Sequence, residues 1–203
     1  MKIVCPLPAA LGDISASNCP FRFDQIVRFG FTRRGAGPFA SSAAMKLLAT
    51  WTARQAAADD TKIVMSPFFA GMFIPPSEAL TTGGNDNSTF NGIPEYNGEG
   101  FVNVTGVFKN LQPAVAKEMD MLTPESLASA IGISNLTLIM FNKDGVGFAK
   151  DLEGFPVYNF RKSSVGSEGF NSPNTHNFSF AMPGDWDSEL VSFIPDFDPL
   201  TDL

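Results

Sequence analysis

Histidine, cysteine, tryptophan and tyrosine are scarce in this 203-residue chain, at one, two, two and two residues. The lone His176 sits in Asn174-Thr175-His176-Asn177, and no Gly-X-Ser-X-Gly elbow occurs. A nucleophile-and-base triad therefore has no material, and His176 reads as a turn residue. Cys5 and Cys19, each followed by proline, cannot make a zinc site alone with His176 so far off in sequence. They read as buried free thiols, with a disulfide clipping the N-terminal loop as the alternative. Phosphate-cradling loops are missing too. Gly35-Ala36-Gly37-Pro38 lacks the third glycine and the Lys-Ser/Thr, and its proline removes a donor. The stretch Gly83 to Ser88 has oxygen ligands but no closing glutamate for calcium. No cofactor, metal or catalytic residue is expected.

Long apolar runs are also lacking. No window approaches the roughly 20 residues needed to span a bilayer, so no membrane partner is expected. Pro6 and Pro8 interrupt the opening apolar stretch, which is expected to belong to the mature chain. The sequons at Asn87, Asn103, Asn135 and Asn177 are then chance features of an Asn- and Thr-rich sequence.

Charge is sparse, at 17% of residues, and unevenly placed. The net charge of −7 argues against a protein that grips nucleic acid by its phosphates, but it suits a surface past which DNA slides without sticking. Residues 183–203 carry Asp185, Asp187, Glu189, Asp196, Asp198 and Asp202 with no basic residue, whereas residues 1–62 carry more Lys and Arg than Asp. Such polarity lets copies of one chain attract each other head to tail.

What the chain has in quantity is phenylalanine, glycine and proline, at 20, 18 and 15 residues. Phenylalanine fits the half-buried surface of a sheet, and glycine and proline punctuate short strands. A mainly β fold with some α (α+β) and long loops or arms is expected, in a single domain over residues 1–203. Residues 1–20 read as an extended lead-in. Alternation over Val27 to Arg33 predicts a strand with one apolar and one basic face. A main helix is predicted from Ser41 or Ser42 to about Ala58, with Met45, Leu48, Trp51 and Thr52 as its packing stripe. Lys62 to Met65 reads as a short buried strand, and Phe68 to Pro75 as another. Residues 77–99 read as a long loop or arm that orders on contact with a neighbour.

Strands are predicted over Gly100 to Lys109, Leu136 to Phe141, Val146 to Lys150, Phe155 to Arg161 and Asn177 to Met182, with a hairpin turn at Asp144-Gly145. Pro113 to Met121 reads as a short helix, and a second is predicted to open at Thr123-Pro124 and stop at Gly132. Ser163 to His176 reads as loop, and 183–203 as a solvated acidic segment anchored by Trp186, Phe193 and Phe197.

The candidate functional residues are those of an interface. Arg22, Arg28, Arg33 and Arg34 are suited to bidentate pairing with a neighbour's Asp185, Asp187, Asp196 and Asp198, beside Trp186. Asn85, Asp86, Asn87 and Phe90 would sit on the inter-subunit arm. Asp185/Asp187 and Asp196/Asp198 are poorly placed for two-carboxylate hydrolysis, because neighbours on one strand cannot flank a scissile bond.

Three sequence stretches carry a resemblance. They are the Cys-Pro, Gly-Asp-Ile and Phe-Asp-Gln-Ile-Val-Arg pattern between Pro6 and Arg34, the Trp51 helix leading into Asp60-Thr61-Lys62-Ile63-Val64, and the closing Gly184-Asp185-Trp186-Asp187. Together they resemble virion structural proteins of tailed bacteriophages, particularly those infecting Bacteroidota, and among these a tail tube or tail-completion subunit. The resemblance implies a β-sandwich or barrel-like core with one packed helix. It also implies homo-oligomeric rings that stack into a tube, contacts with other virion proteins, a lumen for transient, non-specific DNA passage, and location in the virion after assembly in the host cytoplasm. Alternatives are a capsid-associated or decoration protein, or a carbohydrate-binding adhesion module using Tyr96, Tyr158 or Trp186.

Overall fold

A computed structural model describes residues 25–35, 39–84, 88–127, 134–167, 169 and 172–203. The described elements begin with β1 (Ile26–Arg33), α1 (Leu48–Ala56), β2 (Val64–Met65), β3 (Gly71–Phe73), β4 (Ala79–Thr82), β5 (Glu95–Glu99) and β6 (Val102–Lys109). They continue with α2 (Pro113–Asp120), α3 (Leu122–Glu125), β7 (Leu136–Asn142), β8 (Gly147–Lys150), β9 (Phe155–Lys162), β10 (Thr175–Met182) and β11 (Leu190–Phe193). The protein is mainly β with packed helix, as its composition predicts. Cys5, Cys19, Arg22, Asn85, Asp86, Asn87 and Gly132 lie outside the described residues.

Strand β7 is the axis of the fold. Every residue from Leu136 to Asn142 is buried, because both faces of this strand are covered. Leu136, Leu138 and Met140 point into one core, and Ile139 and Phe141 into a second. Strand β1 lies antiparallel to it, with Phe29 opposite Met140 and Phe31 opposite Leu138. The basic outer face expected for this strand is corrected here: Gly30 and Thr32 are buried. The helix layer lies over them, and a Cβ on Gly30 would come within 3.3 Å of the Trp51 ring.

The first core fills a barrel-like sandwich. Antiparallel pairing runs from β1 to β7, β9, β10, β6 and β3. Strand β9 belongs to both sheets: Phe155 to Val157 pair with β7, and Tyr158, Arg161 and Lys162 pair with β10. Asn159 takes φ 54° at the change-over, a left-handed conformation that asparagine tolerates better than most residues. On the opposite side the segment after β2 returns the chain from one sheet to the other. Ser66 N donates to Phe29 O, Phe69 N to Val27 O and Ala70 N to Val107 O. Inside, Phe29, Phe69, Phe108, Phe178 and Phe180 form a ring cluster with centroids 4.6 to 6.3 Å apart. Full burial of each is worth about 2–3 kcal/mol, with roughly 1 kcal/mol more from well-disposed ring pairs.

The second core lies between β7 and the helix layer. Trp51 is fully buried, donates its indole N–H to Met45 O at 2.8 Å, and packs on Phe39 and Phe141 at 5.2 and 5.3 Å. The long helix expected from Ser41 is instead two pieces, a 3-10 turn Ala44–Lys46 and α1, separated by extended Leu47 at φ −90°, ψ 122°. Ser41 Oγ accepts from Ala44 N and so caps only the first piece. The break rotates the expected stripe: Met45 and Trp51 are buried, but Leu48 and Thr52 are not.

Several expectations change in smaller ways. The short strand is Val64–Met65, and it is Ile63 that is buried while Val64 is exposed. The second helix starts at Leu122, so Pro124 is its third residue and Thr123 is not its cap. His176 is a buried strand residue of β10 whose Nδ1 lies 3.1 Å from Ser163 O, so it is not in a turn. The acidic segment contains a true strand, β11, paired with β8. Phe193 anchors it, as expected.

Candidate functional site

Within residues 77–99, expected to be a long loop or arm, β4 and β5 form a separate antiparallel hairpin. It prolongs the β3–β6 strand pair beyond the barrel. Its root is fixed: Gly100 N donates to Glu78 O at 2.8 Å, Ser77 Oγ donates to Glu99 Oε2 at 2.6 Å, and Pro75-Pro76 stiffens one side. The turn after β10 presses against this root, since a Cβ on Gly184 would lie 2.4 Å from Gly100 O. Beyond the root, β4 and β5 pack principally on each other. Leu80, Ile93 and Tyr96 are 52, 62 and 63% exposed. A two-stranded hairpin with no core beneath it is marginal in water. Glu78, Asp86, Glu95 and Glu99 give the arm negative charge, and residues 74–99 contain no Lys or Arg. Phe90 lies in the 3-10 turn Phe90–Gly92 within the hairpin's connection.

The second notable surface is the outer face of β3, β6, β10 and β9. The helix layer covers the β1–β7 sheet, but no described element covers this one. Cross-strand pairing aligns Phe73, Thr105, Ser179 and Arg161 in one row, and Gly71, Val107 and Asn177 in the next. Small side chains leave an open groove of about 1000 Å³, bounded by Lys109, Arg161 and Lys162, with no carboxylate in its lining. Arg161 Nε donates to Ser179 Oγ at 3.2 Å, and Lys162 pairs with Asp120 at 3.2 Å. The alternation of β6 and β10 could have revealed these outward residues from sequence, but their assembly into one face needed the topology.

Arg28 and Arg33, two of the predicted interface residues, have side-chain partners within the chain. Arg28 is half-buried and donates Nε to Ser66 O at 3.1 Å and Nη1 to Pro199 O at 3.0 Å, with its guanidinium 5.1 Å from the Phe68 ring centre. Burial pushes its pKa down from the usual arginine value. The basic strand and the acidic segment thus meet within one subunit, through backbone carbonyls rather than carboxylates. Arg33 binds both oxygens of Glu125, at 3.2 and 2.5 Å, and also Asp60. The hydrogen bonds it donates to Glu125 and then to Asp60 hold its pKa above the ordinary arginine value. Arg34 is exposed.

The acidic residues do not form one group. Asp185 pairs with Lys150 at 3.4 Å, and Trp186 packs edge-on to Phe155 at 5.7 Å. Asp187 closes a turn through its carbonyl, which accepts from Leu190 N. Asp196 N donates to Lys46 O, and Asp198 Oδ1 accepts from Leu200 N at 2.9 Å. All four aspartates are exposed. Tyr96, Tyr158 and Trp186 belong to three separate elements, and Tyr158 packs on Phe101 at 5.4 Å.

No protein-family model and no curated protein matches the chain. Among the described residues no three His, Cys, Asp or Glu side chains gather into a metal-binding group, and no helix is long and apolar enough to cross a membrane.

Proposed function

We propose that this protein is a non-enzymatic structural subunit that assembles with copies of itself, the β4–β5 arm of one copy docking on the next. Following the resemblance in its sequence, the assembly is a ring or stack of rings in a phage tail tube, through which the genome passes, and it resides in the virion. The observation that carries this reading is an arm with a fixed root, exposed apolar side chains and no buried apolar side chain among its described residues. Burial against a neighbour supplies what the hairpin lacks. An arm docking on a different surface of its neighbour is a heterologous contact, which closes into rings or extends into filaments. Exposed Arg34, Asp185, Asp187, Asp196 and Asp198 then tune the selectivity and rate of encounter.

The arm can be removed cleanly because its ends meet at the hydrogen bond from Gly100 to Glu78. Joining these residues through a short glycine-serine turn should leave a folded barrel that sediments as a monomer, while the full chain forms rings or tubes visible by negative-stain microscopy. Assemblies of unchanged size from the armless chain would refute the proposal.

A further inference from the structure

The arm needs a seat, and one surface of the same molecule has the complementary character. We infer that the uncovered face of β3, β6, β10 and β9 receives the β4–β5 arm of a second copy, with Lys109 and Arg161 facing the arm's carboxylates. This inference rests on the self-assembly reading and names the surface that completes it.

Three observations carry the inference. The first is charge: the arm is acidic without a single basic residue between 74 and 99, and the groove is bounded by basic side chains with no carboxylate in its lining. Opposite signs steer encounter and fix register, and like signs would exclude the arm. The second is shape. Thr105, Ser179 and Gly71 keep the floor low, and a four-stranded face is roughly 19 Å wide at the usual strand spacing, enough for a two-stranded ribbon to lie flat. Phe73, 64% exposed at the rim, offers apolar surface for Leu80 or Tyr96. The third is direction. Pro75-Pro76 and the pinned root aim the arm away from its own barrel as a continuation of the β3–β6 pair, so its own groove is out of reach without a sharp bend at the root.

The test is charge reversal on both sides in the full-length protein. Lys109→Glu with Arg161→Glu, and separately Glu78→Lys with Glu95→Lys, should each weaken self-association by about tenfold or more in sedimentation experiments. At dilutions where the native chain is monomeric, thermal unfolding should change little, because all four side chains are exposed and the Arg161–Ser179 bond is a surface one. The two pairs of changes combined in one chain should restore assembly. A photo-crosslinker at Thr105 should capture residues 79–99 of another copy. If the armless chain is monomeric but the groove reversal assembles normally, or the crosslink maps elsewhere, the seat is wrong and the self-assembly reading stands. If the armless chain still assembles, both fall. Nucleic acid retained by the native protein and lost on groove reversal, with assembly intact, would assign the face to phosphates and overturn the seat.

Discussion

The ring of Phe178 lies where a side chain on Gly106 would have to be: a Cβ there would come within 2.2 Å of Phe178 Cζ and 2.8 Å of Gly71 O. The two residues are direct cross-strand partners on β10 and β6. Phe193 lies over Gly147 in the same way on β11 and β8. In both pairs the glycine lets an aromatic ring cover the neighbouring backbone. Gly106→Ala should therefore destabilise the barrel by about 2–3 kcal/mol through overpacking, although alanine is the smallest change available. Urea unfolding would measure it, with an unchanged m-value showing that the loss is in the folded state.

Trp51 should separate volume from hydrogen bonding. Trp51→Ala opens a cavity against Phe39 and Phe141 and should cost about 3–5 kcal/mol. Trp51→Phe retains most of the packing but strands Met45 O, for a loss of about 1–3 kcal/mol. Calorimetric unfolding of both variants would check the order.

Asp59 is the pH-sensitive group of the α1 exit. Hydrogen bonds from the Thr61 hydroxyl and then the Thr61 amide hold its carboxyl below the ordinary aspartate value. A depressed folded-state value means that its contribution is present above the unfolded aspartate value and lost as pH falls through the folded one. The expected signature is a Thr61 amide resonance that titrates below the ordinary aspartate range. Asp59→Asn should abolish that titration.

Gly184 ties the turn after β10 to the arm root. Gly184→Val places side-chain atoms against Gly100 O and Glu99, and the arm root, whose residues belong to neither core, yields more readily than the barrel can. Hydrogen exchange should show the Gly100 amide opening about tenfold more often, with β6 and β10 amides unchanged.

Protease sensitivity gives a second view of the arm. In the monomer the first cleavages should fall between 79 and 99, and in assemblies those sites should be protected, as mass spectrometry of the fragments would show.

Much of the barrel was legible from period-two alternation. Val102, Val104 and Phe108 point inward and Asn103 and Thr105 outward as their spacing predicts. What escaped has identifiable causes. Leu47 carries no breaker signature, so the interruption between the 3-10 turn and α1 was invisible. The four residues of β11 were hidden among carboxylates that set the apparent character of 183–203. Residues 79–99 read as loop because threonine, asparagine and glycine dominate them, yet main-chain pairing needs no apolar side chains. The meeting of Arg28 with Pro199 spans most of the chain, and no local pattern encodes it.

Strand β6 has one further consequence as a mechanical element. It leaves β5 directly and is matched residue for residue with β10 from Val102 to Lys109. A pull on the hairpin along that axis loads the whole row of main-chain bonds in shear, so they must fail together. The same hairpin pulled sideways would open its bonds one after another, so the subunit's resistance to force depends on direction.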